Sequence, residues 1–133
     1  MVDPIRDDTI DPIRDDMEAH DHAMSISIHA VVRELADLLG ATTVAVIGGV
    51  TETRAVQQWL SDREPQRPHV LRFALQIATM IATLSEREMA KAWFHGSNPR
   101  LGDASPMLLL RSRKLAEVQA DLLAAARAFA KRA

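Results

Sequence analysis

The side chains best suited to catalysis in this 133-residue chain are its five histidines, and their spacing argues against that role. His20-Asp21-His22 sets two imidazoles beside a carboxylate, a grouping that can ligate a metal. A short pair in an acidic stretch lacks the supporting groups that orient metal ligands. His95, close to Asn98, raises the possibility of acid–base chemistry. No third group stands at a spacing that would orient the ring, so His95 reads as a loop histidine. There is no phosphate-cradling glycine loop, no H-E-x-x-H and no serine in a strained-turn motif. The chain has no Cys, which excludes a thiol nucleophile, a cysteine zinc site and a disulfide framework. The expectation is a protein without catalytic residues, metal or cofactor.

The remaining chemistry is recognition, and two stretches carry it. In the first, Thr51, Thr53, Arg54, Gln57 and Gln58 fall within eight residues. In a DNA major groove Arg suits guanine and Gln suits adenine. The flanking residues are those needed to present them. Thr42 or Thr43 caps a short helix through Val44, Ala45 and Ile47, and Gly48-Gly49 stops it. Val50 plugs the corner, Thr51 caps a third helix with Glu52 in its first turn, and Val56, Trp59 and Leu60 face inward. This order is the helix-turn-helix pattern and resembles the Xre/Cro-type DNA-binding unit. Charge opposes it, since residues 25–68 hold four Arg against five acids, a net of −1. Phosphate contacts normally supply most of the affinity for DNA, so either a homodimer is needed or the fold is retained as a scaffold.

The second stretch is residues 90–110, AKAWFHGSNPRLGDASPMLLL. Ala92-Trp93-Phe94 close a helix, and Gly96 is placed to go left-handed just past its end. Asn98-Pro99 stops the helix, Gly102 allows a second bend, and Ser105-Pro106 reads as an N-cap before the apolar start of the next helix. On physical grounds this is a helix–loop–helix corner with Trp93, Phe94 and Leu101 in the core. The order Ala92-Trp93-Phe94, Asn98-Pro99, Leu101-Gly102, Ser105-Pro106, Leu109-Leu110 also resembles the toxin-binding domain of the Xre/MbcA/ParS antitoxin family. The resemblance implies a cognate toxin as partner, typically a RES-domain enzyme that consumes NAD and whose active-site cleft the antitoxin covers. It also implies a complex that represses its own operon through operator DNA. Carried onto this chain, the toxin-binding residues are Trp93, Asn98, Pro99, Arg100, Leu101, Ser105 and Arg113. The chain departs from the family pattern at its end, running on through AAARAFAKRA where relatives finish soon after the second helix.

The elements around these stretches read as helices. Residues 3–8 and 11–16 repeat DPIRDD, and residues 1–24 hold eight acids and two Arg, a net of −6. Like charges, prolines and little apolar bulk give a disordered acidic tail. The other 109 residues hold 14 basic and 10 acidic side chains, a net of +4. Ser25 or Ser27 caps a helix with Val31, Leu35, Leu38 and Leu39 on one face, ended by Gly40. Pro68 starts a long helix to Thr83 or Leu84 that is apolar nearly all round. Such a helix either joins two units or lies in a homodimer interface. Ser85-x-x-Glu88 reads as a capping box, and a final helix from about Arg113 to Ala130 carries Leu115, Val118, Leu122 and Phe129 inward.

The expected fold is therefore all-α, with six or seven helices in three segments. These are a disordered tail at 1–24, a helix-turn-helix unit at 25–67 and a helical toxin-binding unit at 68–133. The acidic start is no signal peptide, and residues 70–84, the most apolar stretch, are too short and contain Arg72 and Gln76. A cytoplasmic protein is expected, with no membrane partner. The functional expectation is an antitoxin that also binds DNA as a homodimer. The alternatives are a stand-alone helix-turn-helix regulator and a dimerising scaffold.

Overall fold

The computed structural model describes residues 12–132 and is all-α, with no strand among them. The described helices are α1 (Pro12–Ser25), α2 (Ile28–Leu39), α3 (Ala41–Gly48), α4 (Thr53–Trp59), α5 (Pro68–Leu84), α6 (Arg87–His95), α7 (Pro106–Ser112) and α8 (Leu115–Arg132). A single 3-10 turn, Pro99–Leu101, lies between α6 and α7. None of these helices is long and apolar enough to cross a membrane.

The centre is α5, as its nearly uniform apolarity requires. Val70, Leu71, Phe73, Ala74, Leu75, Ile77, Ala78, Met80 and Ile81 are all buried. They are covered within the chain by α1, α2, α3, α6 and α8. Helices from both sides of the expected 67/68 boundary thus pack against it. A single apolar cluster runs from Ala19 to Ala126, so the expected boundary at 67/68 separates helices but not cores.

The expectation of a disordered tail fails over residues 12–24, which form most of α1; residues 1–11 lie outside the described part. The helix docks on α5 through Ala19 and Ala23, both buried. Small residues four apart let two helix backbones approach closely while adding almost nothing to the hydropathy pattern. Polar ties complete the seam. The Arg72 guanidinium donates to the Ala23 and Ile26 carbonyls at 2.8 Å each, capping the end of α1 from a distant part of the chain. His20 Nδ1 lies 3.1 Å from Gln76 Oε1, and His22 Nε2 lies 2.8 Å from Glu34 Oε1. The two imidazoles weighed as metal ligands thus reach different helices.

Several helix starts differ from expectation. Ser27 caps α2 as expected, accepting from the Ala30 N–H. Helix α3 begins at Ala41, ahead of Thr42 and Thr43, because Gly40 at φ 86° makes the turn that either Thr was expected to mark. Thr43 is buried instead, 2.7 Å from His95 Nε2, so the histidine ends α6 and ties it to α3. The capping box at Ser85–Glu88 is not formed: the Ser85 N–H closes α5 on the Ile81 carbonyl, and Glu86 takes the N-cap position of α6.

Candidate functional site

Two surfaces hold the residues expected to take part in recognition. The first is built on the α3–α4 turn. Gly49 is left-handed (φ 86°, ψ 17°), a conformation that costs a residue with a Cβ, and its N–H bonds Val46 while the Val50 N–H reaches back to Ala45. Trp59 folds back onto Gly48 so closely that a Cβ there would stand 2.6 Å from its Cη2 atom. The His29 ring, 2.7 Å from the Trp59 carbonyl, ties α4 to α2. Helix α4 starts at Thr53, with Glu52 rather than Thr51 at the N-cap and no side-chain capping bond. The closure of the turn on Ala45 is followed by a helix that starts one residue later than the sequence suggested. Thr51, Thr53, Arg54, Gln57 and Gln58 are all exposed. Arg54 stands 3.7 Å from Glu52 in a loose, solvent-facing pair.

Two arginines that the sequence did not single out lock this turn. Arg111, from the end of α7, donates through Nη1 to the Val46 and Val50 carbonyls at 3.1 and 3.0 Å. Arg67, before α5, donates to Ile47 at 3.4 Å and, on the other side, to the Arg111 carbonyl at 3.2 Å. Both cations face helix C-termini, where orphan carbonyls concentrate negative potential. The cost to the surface is charge: two of the nearby arginines are turned onto backbone and away from any external anion.

The second surface is the corner. Gly96 is extended (φ −78°, ψ 151°), not left-handed as expected, because its N–H already caps α6 on the Ala92 carbonyl without a reversal. The reversal comes later, at Gly102 and Asp103, with φ of 65° and 66°. The loop is closed by its own backbone: Asn98 exchanges bonds with Ala104 and Asp103, and the Asn98 side chain accepts from the Arg100 N–H at 2.9 Å. The Ser97 hydroxyl donates to the Asp103 carbonyl at 2.8 Å. This rigid loop stands beside α8, and an open cleft of about 380 Å³ lies between them.

The cleft gathers four of the seven residues carried over from the resemblance: Trp93 from α6, and Asn98, Pro99 and Arg100 from the loop. Trp93 is 4% exposed and packs edge-to-face on Phe94, with ring centroids 5.1 Å apart. Leu101 and Ser105 do not line the cleft. Leu101 packs on the core, and the Ser105 hydroxyl, at the N-cap of α7, is buried without a partner instead of capping the helix. Arg113 does not belong beside the corner, where it was expected. It follows the far end of α7, about 12 Å along the helix from Ser105, and pairs with Glu117 at 3.1 Å. A seven-residue helix separates the two positions, a distance that the loop motif in sequence does not reveal.

The opposite wall of the cleft is Ala125, Ala128 and Phe129 of α8, the final helix that the resemblance places on the partner face but whose residues the sequence did not single out for it. Its signal was present in the run AAARA at 124–128, where small residues replace the leucines of the preceding turn and leave a depression. Comparison of the chain with protein-family models, with curated proteins and with solved structures finds no match.

Proposed function

We propose that this protein is the antitoxin half of a toxin–antitoxin pair, with the α6–α8 cleft and its loop as the face that covers the toxin. The observation that carries the reading is the convergence of Trp93, Asn98, Pro99 and Arg100 on one open cleft. A concave site with an apolar floor and a few polar groups is the ordinary form of a specific binding site. The resemblance of residues 92–110 to the Xre/MbcA/ParS toxin-binding domain supplies the kind of partner, a RES-type enzyme that consumes NAD. In this reading the protein is itself not an enzyme and acts in the cytoplasm.

A second activity rests on a separate observation. The outward face of α4 presents Thr53, Arg54, Gln57 and Gln58, and among the described residues their side chains make only the loose Arg54–Glu52 pair. This arrangement favours DNA contact at the operon's own operator, by a homodimer that compensates for the weak charge of each unit. A stand-alone regulator would use this face without the cleft.

The deciding experiment is rescue of growth. Cells expressing the product of the neighbouring gene should survive when the wild-type chain is co-expressed, and should not survive with Arg100→Glu. Both chains must be present at equal level with equal melting temperature, since an exposed substitution changes stability by within about 0.5 kcal/mol. Equal rescue by the two chains, or no toxicity to rescue, transfers the proposal to the regulator.

A further inference from the structure

The cleft between α6, the 96–101 loop and α8 has a chemical sign. Its floor is apolar, with Met89 on α6 and Phe129 on α8 facing across small alanines. Its polar lining consists of Ser97, Asn98, Arg100 and the indole of Trp93, and among the described residues no carboxylate lines it. Donors dominate. The Trp93 Nε1–H is buried and has no acceptor among the described residues, so it is an unmet donor beside the cleft. The Asn98 carbonyl oxygen is occupied by the Arg100 N–H, while its amide NH₂ bonds nothing among the described residues. The Arg100 guanidinium is exposed and makes no ion pair among the described residues.

We infer that the cleft takes a protein segment that presents an apolar side chain next to a carboxylate. The side chain lies on the floor, and the carboxylate meets Arg100 and the Asn98 amide. This rests on the reading of the cleft as the partner face and specifies the partner's chemistry. Charge complementarity carries it: the lining offers several donors and one cation with no anion, so a neutral or basic segment would leave those donors unmatched. The volume suits one large side chain with its flanking backbone.

Heteronuclear NMR of the full chain, titrated with phenylpropionate and separately with its neutral analogue phenylpropanol, tests the inference without any partner protein. The chain has only two tryptophans, so Trp59, packed on Gly48 away from the cleft, is an internal control for Trp93. Phenylpropionate at low millimolar concentration should shift the Trp93 indole and the Asn98 and Arg100 amides saturably, leaving Trp59 still. Phenylpropanol should bind about fivefold or more weakly. Arg100→Gln should abolish that difference, and Arg113→Gln should preserve it. Equal binding of the two probes, binding of neither, or equal movement of Trp59 would overturn the inference. If the toxin is neutralised while the probes bind alike or not at all, the antitoxin reading stands and this inference falls. Carboxylate-selective binding without neutralisation gives the reverse.

Discussion

The α3–α4 turn and the 96–105 corner are both short connections between helices, and they solve opposite problems. The turn is convex and closed. Its glycines admit Trp59 and a left-handed residue, and its carbonyls are capped by Arg67 and Arg111. What it offers outward is a row of exposed polar side chains on a seven-residue helix. The corner is closed in its backbone but open at its side, where the Asn98 amide and the Arg100 guanidinium line a cleft with the Trp93 ring. The contrast teaches where charge is available. Arg67 and Arg111 at the turn are engaged by helix ends and Arg54 lies near Glu52, whereas Arg100 in the cleft makes no ion pair among the described residues, so the corner is better prepared for an anionic group than the turn is for phosphate.

The largest expected effect tests whether the turn is held by guanidinium bonds. Arg111→Met removes the donor from the Val46 and Val50 carbonyls, and loss of part-buried bonds to a charged donor costs about 1.5–3 kcal/mol. The urea midpoint should fall accordingly. A change below about 0.5 kcal/mol would mean that the turn holds itself.

Next is the close approach at Gly48. Gly48→Ala should destabilise by roughly 1–3 kcal/mol through overpacking against the indole. The penalty should shrink in a Trp59→Phe background, because phenylalanine lacks the Cη2 and Cζ3 atoms that the new methyl would meet. An equal penalty in both backgrounds would place the strain elsewhere.

Arg54→Ala separates recognition from folding. Specific binding to operator DNA should weaken by about 1–3 kcal/mol in gel shifts at several salt concentrations, with melting unchanged. Equal binding by both chains, or none by either at low salt, removes the reading function from the turn. The smallest effect belongs to Arg113→Glu, which should alter neither toxin rescue nor stability by more than about 0.5 kcal/mol, since the residue lies beyond α7 from the cleft.

Much of this was legible in residue order. The stripe on α5, the cap at Ser27, the αL turn at Gly49 and the Ser105-Pro106 start of α7 each follow from local chemistry that a window of a few residues contains. What was not legible depends on distant partners. Helix α1 reads as a charged tail because its docking residues are alanines and its cap is Arg72, more than 40 positions away in sequence. The Ser85 capping box fails because its N–H is taken by the preceding helix. The cleft needed α8 beside α6, and only the small residues at 124–128 hinted at it. Arg113 sat close to the corner in sequence and is separated from it by a rigid helix.

The contrast between turn and corner is tested most directly by hydrogen–deuterium exchange of the full chain, alone and in complex with the neighbouring gene product. The expected result is new protection across residues 89–101 and 125–129, with no change across 53–59. Protection confined to α4, with the cleft exchanging as in the free chain, would contradict the assignment of the partner face.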